Sequence, residues 1–159
     1  MKKLLFCAAA ALGAALALPG AANAQVYVGA GYSHLDADGA GDLGALTGRL
    51  GSRFNRFFAL EGEAGLGVDD DGPVELNHTA GVFALGILPL SQRFDLHGRI
   101  GYQNTEFDAP GGDADSDGLA YGIGGAFNLS ERFAVRADVT RLEGDVDADT
   151  VSLGAVVRF

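Results

Sequence analysis

The sequence predicts an all-β chain: an eight-stranded antiparallel up-and-down transmembrane β-barrel, preceded by a cleavable signal peptide. Three observations carry this. Residues 150–159 alternate, with Val151, Leu153, Ala155, Val157 and Phe159 on one parity and Thr150, Ser152, Gly154 and Arg158 on the other. A period of two is a strand with one apolar face, and a terminal aromatic strand is expected to close a barrel by pairing with the first. Further segments read as strands, joined by connections that are by turns tight and long, the arrangement of a membrane barrel with short turns at one end and loops at the other. Finally, the charged residues within these segments fall mainly on the parity opposite to the apolar ones.

At the N-terminus, Met1-Lys2-Lys3 is a cationic start and residues 4–18 are an apolar run of Ala and Leu. Pro19-Gly20 ends the run, and Ala22-Asn23-Ala24 is a small-x-small cleavage site. This is the pattern of a secretory signal; the run of about 15 apolar residues is shorter than the ~20 of a membrane-spanning helix. The predicted division is a signal peptide, residues 1–24, and one barrel domain, residues 25–159. The single cysteine, Cys7, falls in the signal. Neither a disulfide framework nor a thiolate zinc site is therefore available to the domain. Losing Lys2 and Lys3 takes the formal charge from −10 to −12. Such an acidic domain is not a nucleic-acid binder, which needs basic surface.

Alternation places the strands at 25–35, 43–54, 57–68, 75–88, 94–106, 118–129, 132–142 and 149–159. Tight turns fall at 55–56, 89–93 and 130–132; the longer connections, 36–42, 69–74, 107–117 and 143–148, are rich in Asp and Gly. The apolar face of the first strand carries Val26, Val28, Ala30 and Tyr32, and that of the second Leu46, Leu50 and Phe54. The third presents Phe58, Leu60, Ala64, Leu66 and Val68, and the fifth Phe94, Leu96, Ile100 and Tyr102. The sixth presents Leu119, Tyr121, Ile123, Phe127 and Leu129, and the seventh Phe133, Val135, Ala137 and Val139. These faces are assigned to lipid. The fourth strand is apolar on both faces, so its orientation stays open. Phe54, Phe57, Phe58, Phe94, Phe133 and Phe159 gather at the turn end, and Tyr32, Tyr102, Phe107 and Tyr121 nearer the loops, as two aromatic girdles would.

The opposite face carries Arg49, Arg99, Arg136 and Arg158 with Glu61, Glu63, Asp95 and Asp138, and also His97. Four arginines against four carboxylates predict a neutral ion network filling the lumen, since a lone buried ion costs several kcal/mol. Inward glycines and alanines, among them Gly29, Gly31, Gly51, Gly122, Gly124, Ala126 and Gly154, leave room for the long charged side chains in a barrel only wide enough for side chains.

The mature chain resembles the small eight-stranded outer-membrane barrels of Gram-negative bacteria, the OmpA-type transmembrane domain and the OmpX/Ail group. The resemblance rests on Val26-Tyr-Val-Gly-Ala-Gly-Tyr32 and on Val151-Ser-Leu-Gly-Ala-Val-Val-Arg-Phe159. It implies a monomer in the outer membrane, exported by the general secretory route with the help of export chaperones. It also implies that Phe159 ends the signal read by the barrel-assembly machinery.

Sixteen of the 21 carboxylates lie in or beside the longer connections. Asp113, Asp115 and Asp117, followed by Gly118, match the first half of an EF-hand-type loop, but the twelfth position is Gly124 where a bidentate acid is required. That leaves a weak Ca²⁺ or Mg²⁺ site as one expectation and a solvated acidic rim as the other; no other cofactor is expected. Arg141, on the outward row of the seventh strand, is placed either to reach a lipid phosphate or to act as a simple interface charge. Ser33-His34 is the only adjacent Ser–His pair, and strand neighbours point to opposite faces, so no enzyme is expected. The function read from the sequence is a non-catalytic outer-membrane barrel with a structural or surface-interaction role, touching lipid, lipopolysaccharide or host molecules. The alternatives are a lipid-modifying outer-membrane enzyme, a divalent-cation-binding surface barrel and a narrow pore.

Overall fold

A computed structural model describes residues 25–37, 41–70, 75–109, 112–144 and 147–159, and, within the strands, no side chains at 37, 41–42, 69–70, 75–77, 107–109 and 112–116. The expected signal peptide lies outside the described residues. Eight strands follow one another: β1 (Gln25–Ala37), β2 (Gly41–Arg53), β3 (Phe58–Asp70), β4 (Glu75–Pro89), β5 (Phe94–Ala109), β6 (Gly112–Asn128), β7 (Phe133–Gly144) and β8 (Ala148–Arg158). Each pairs antiparallel with its sequence neighbour, and β8 pairs with β1, which closes the barrel. That seam runs from Tyr27 opposite Arg158 to Ala37 opposite Ala148, and the Phe159 amide donates to the Val26 carbonyl at 2.9 Å. Closure pairs the backbone groups of both terminal strands, which hydrocarbon would otherwise leave unsatisfied.

The three described turns at one end share a device. Asn55 Oδ1 accepts from the amides of Phe57 and Phe58 at 2.8 and 3.0 Å. Ser91 Oγ does the same for Arg93 and Phe94, and Ser130 Oγ for Arg132 and Phe133. A short polar side chain thus satisfies two amides while the chain reverses, which is why Asn and Ser stand at these positions.

At the other end the strands run further than alternation predicts. β5 ends at Ala109 and β6 begins at Gly112, so most of the expected 107–117 loop is hairpin. β1 and β2 likewise extend to Ala37 and from Gly41, and β7 and β8 to Gly144 and from Ala148. Backbone pairing does not need an apolar face once the strands have left the membrane, so a pattern of hydrophobicity undercounts them. β5 and β6 are 16 and 17 residues long, against the roughly 9–11 a tilted strand needs to cross the hydrocarbon. This hairpin stands well clear of the bilayer.

Every outward face assigned from alternation is outward. Leu46, Leu66, Ile100, Ile123, Leu129, Val151 and Leu153 are all more than half exposed, which in a soluble protein would be an aggregation hazard and in a membrane is the lipid contact. β4 resolves its ambiguity: Val82 and Leu88 face out, while Phe83 and Leu85 are buried in the lumen beside half-buried Ile87. Tyr32, Tyr102 and Tyr121 are exposed near the loop end, and Phe57, Phe58, Phe94, Phe133 and Phe159 at the turn end. The Phe107 side chain lies outside the described residues.

The closed seam predicts resistance to SDS. Purified protein folded in detergent is expected to migrate differently on a gel before and after boiling; identical mobility would contradict a closed barrel.

Candidate functional site

The ionic part of the lumen is built from the odd positions of β2, β3 and β5 and the even positions of β7 and β8, brought together by the registers Arg49 opposite Glu63, His97 opposite Gly124, Gly124 opposite Asp138 and Asp138 opposite Ser152. At its centre Arg136 grips two carboxylates with all three of its guanidinium nitrogens. Nη1 and Nη2 donate to Glu61 Oε2 and Oε1 at 2.6 and 3.2 Å. Nε and Nη2 donate to Asp138 Oδ1 at 3.0 and 2.9 Å. Two-pronged Arg–carboxylate pairing of this kind is among the stronger hydrogen-bonded arrangements in proteins. Asp138 also accepts from Arg49 Nη1 at 2.8 Å and from His97 Nε2 at 2.6 Å. Glu61 accepts from the Tyr27 hydroxyl at 2.8 Å. Glu61, Asp138 and Arg136 are 0, 2 and 5% exposed.

A second pairing sits beside the first. Glu63 bridges Arg49 at 3.2 Å and Arg99 at 3.1 Å. The Arg99 guanidinium lies 3.6 Å from the centre of the Phe83 ring, so β4 contributes a cation–π face to an otherwise ionic interior. Space for these long side chains comes from glycine. A Cβ on Gly51 would fall 2.1 Å from the Tyr27 ring, and one on Gly124 would fall 2.5 Å from both Asp138 Oδ1 and His97 Nε2.

Two small cavities flank the cluster. The one toward the turns, about 40 Å³, is lined by Tyr27, Arg53, Asp95, His97, Arg136 and Arg158 among others. The one toward the loops, about 10 Å³, is lined by hydroxyl residues with Glu63, Arg99 and Gln103. Arg49, Glu61 and Asp138 line neither; they lie between the two and seal the bore.

The expected interior residues Arg49, Glu61, Glu63, Asp95, Arg99, Arg136 and Asp138 all face the lumen, but the balance of four against four does not hold. Arg53 also turns inward and bridges Asp95 at 3.3 Å. Arg158 stands at the turn-end mouth with no ion pair among the described residues, where nearby water makes pairing unnecessary. Tyr27, Arg53 and Phe83 were missed. Parity alone places Tyr27 between the outward Val26 and Val28, and Arg53 four residues beyond Arg49; for Phe83 the apolar pattern carried no such signal.

Toward the loops, Asp113, Asp115 and Asp117 belong to strand β6, opposite Asp108, Glu106 and Asn104 of β5, not to a loop that wraps an ion. The side chains of Asp113 and Asp115 lie outside the described residues. Asp117 accepts from the Tyr102 hydroxyl. Among the described residues no group of three His, Cys, Asp or Glu is set to hold a metal ion. Arg141 is exposed and engages Asp149 and Asp147 at 3.1 and 3.5 Å, so neighbouring carboxylates share its guanidinium. His78 Nδ1 lies 3.3 Å from Glu106. Ser33 is buried against Thr47 Oγ1 at 2.6 Å while His34 is exposed on the other face; they do not form a nucleophile–base pair.

A closed eight-stranded barrel with lipid-loving groups outside and a sealed ionic core defines a small transmembrane β-barrel. The chain belongs to the outer membrane protein beta-barrel domain family, whose model matches residues 4–159, and it is accordingly a protein of the Gram-negative outer membrane. No curated protein matches it significantly. Among solved structures it is similar to Ail of Yersinia pestis in complex with the heparin analogue sucrose octasulfate (21% identity, TM-score 0.62, covering 86% of this chain and 99% of that one). It is also similar to the N-terminal β-barrel domain of Pseudomonas aeruginosa OprF (16% identity, TM-score 0.67, 85% and 97% covered). A third similar structure is OprG of the same organism (16% identity, TM-score 0.66, 86% and 96% covered).

The cluster sets two stability predictions, both read by urea unfolding of the folded barrel. Arg136→Ala leaves Glu61 and Asp138 without their shared partner and is expected to cost about 3–5 kcal/mol; a value near zero would contradict the network. Gly124→Ala drives a methyl between His97 and Asp138 and is expected to cost about 1–3 kcal/mol. Gly86→Ala, where nothing lies within 4 Å of the added Cβ, is the control and is expected to be silent.

Proposed function

We propose that this protein is a non-catalytic, non-conducting barrel whose role is structural or one of surface contact at the outer membrane. The single observation that carries this reading is the seal: Arg49, Glu61, Arg136 and Asp138 interlock across the bore and are all buried. Eight strands leave room only for side chains, and here that room is taken by ion pairs too costly to break for a passing solute. The opposite faces taken by Ser33 and His34 speak against a Ser–His hydrolase, and the interlocked ion pairs across the bore speak against a narrow pore. The remaining surface for function is the loop end, where the hairpins project from the membrane. Residues 1–24 would direct export by the general secretory route, Phe159 would present the barrel to the assembly machinery, and the protein would act as a monomer.

The charge of that loop end constrains its partner. Ail was solved with a sulfated sugar; in this chain sixteen of the 21 carboxylates gather at the loop end, with Arg141 as its only Lys or Arg. Such a rim disfavours polyanions and suits cationic groups, or lipopolysaccharide phosphates bridged by divalent cations. Titration of the folded barrel with sucrose octasulfate at physiological salt is expected to give no saturable heat, and titration with a lysine-rich peptide to give salt-sensitive binding. The reverse order would overturn the reading of the rim, and large, sustained conductance in a planar bilayer would overturn the reading of the seal.

A further inference from the structure

At the turn end, each arginine is followed directly by phenylalanine: Arg53-Phe54, Arg56-Phe57, Arg93-Phe94, Arg132-Phe133 and Arg158-Phe159. The dipeptide occurs nowhere else in the chain. Arg53 and Arg158 line the mouth of the lumen. Arg56, Arg93 and Arg132 are different: one stands on each of the three turns, exposed to the outside. None of these three is in an ion pair among the described residues, although this protein pairs most of its other arginines. The phenylalanine after each is exposed, and the Arg56 guanidinium lies 5.0 Å from the Phe57 ring centre. The one acidic residue on these turns is Glu131, beside Arg132.

Phenylalanine rings at this level mark the edge of the hydrocarbon. A guanidinium attached one residue further out reaches the headgroup layer, with its stem along the ring and its planar fork toward phosphate. The same device repeats on three successive turns, and each guanidinium is left without a protein anion. We propose that the three turns form a collar that binds anionic phospholipid in the leaflet at that end, the periplasmic one for short turns, with one headgroup phosphate at each Arg-Phe pair. A zwitterionic headgroup brings its own ammonium into a field that is already positive, so the collar selects lipids of net negative charge. The proposal rests on the membrane placement of the chain and adds to it a lipid class and an end of the barrel.

The test uses the mature chain folded into phosphatidylcholine vesicles containing a trace of spin-labelled phosphatidylglycerol or spin-labelled phosphatidylcholine. Electron paramagnetic resonance then reads how much of each label is immobilised by protein. Phosphatidylglycerol is expected to be favoured by about fivefold at each engaged turn, with the preference falling as salt is added. The variant R56Q/R93Q/R132Q is expected to lose the preference, and R132Q alone to change it least because Glu131 already offsets that arginine. Inorganic phosphate, substituted for chloride at constant ionic strength, is expected to leave the preference intact; if it abolishes it where chloride does not, the ligand is a free anion and the lipid proposal fails. Equal immobilisation of the two labels by the unaltered protein, or a preference that survives in the triple variant, would also overturn it. The gel shift on boiling is read on the same samples: its presence assigns a lost preference to the collar, and its absence removes both the barrel and the collar.

Discussion

Glu61 is the point on which the rest of this structure turns. A carboxylate with no exposed surface, inside a membrane-spanning barrel, is tolerated only if its charge is met in place. Arg136 meets it with two parallel hydrogen bonds, and the cost of burying Arg136 is met in turn by Asp138. Asp138 draws in Arg49 and His97, Arg49 draws in Glu63, and Glu63 draws in Arg99. Each ion is held by the need of another, so the cluster is satisfied only as a whole. It forms only when β2, β3, β5 and β7 stand in their observed registers. The ionic core therefore specifies the register of the barrel from the inside, while lipid selects it from the outside.

The interior is not uniformly ionic. Phe83, Leu85, Tyr27 and Val156 make an apolar patch toward the turns, and Leu35, Leu43 and Ala45 another toward the loops. These apolar side chains share the lumen with the cluster and lower the local polarity around its buried ion pairs. Glycine supplies the clearance: Gly51 gives way to the Tyr27 ring, and Gly124 to the contact of His97 with Asp138. A glycine weakens a strand, and here that loss is offset by contacts no larger residue would permit.

The two ends of the barrel differ in charge. Acidic residues crowd the projecting hairpins, and arginines occupy the short turns. Along the loop end, tyrosines tie the rim together: Tyr102 donates to Asp117 and Tyr121 donates to Glu143. At the turn end Asn55, Ser91 and Ser130 fix the backbone and leave the arginines outside. One end is thus organised among its own side chains, and the other is left with charge to share.

Alternation by itself determined the strand count, the closure by the last strand, the lipid-facing residues and the parity of Arg49, Glu61, Arg99, Arg136 and Asp138, because a strand's side chains obey a period of two whatever surrounds them. It did not reach the projecting ends of β5 and β6, where polar strands pair through their backbones without a hydrophobic face. It also could not orient β4, whose Phe83 and Val82 are equally apolar. Which arginine meets which carboxylate was decided only by tertiary structure: Arg136 and Glu61 are 75 residues apart. Their meeting depends on the stagger between strands that are not neighbours in the sheet, a quantity that no local pattern encodes. The same holds for Arg158, inward by parity but set at the wet mouth of the lumen, where a charge can stand without a partner.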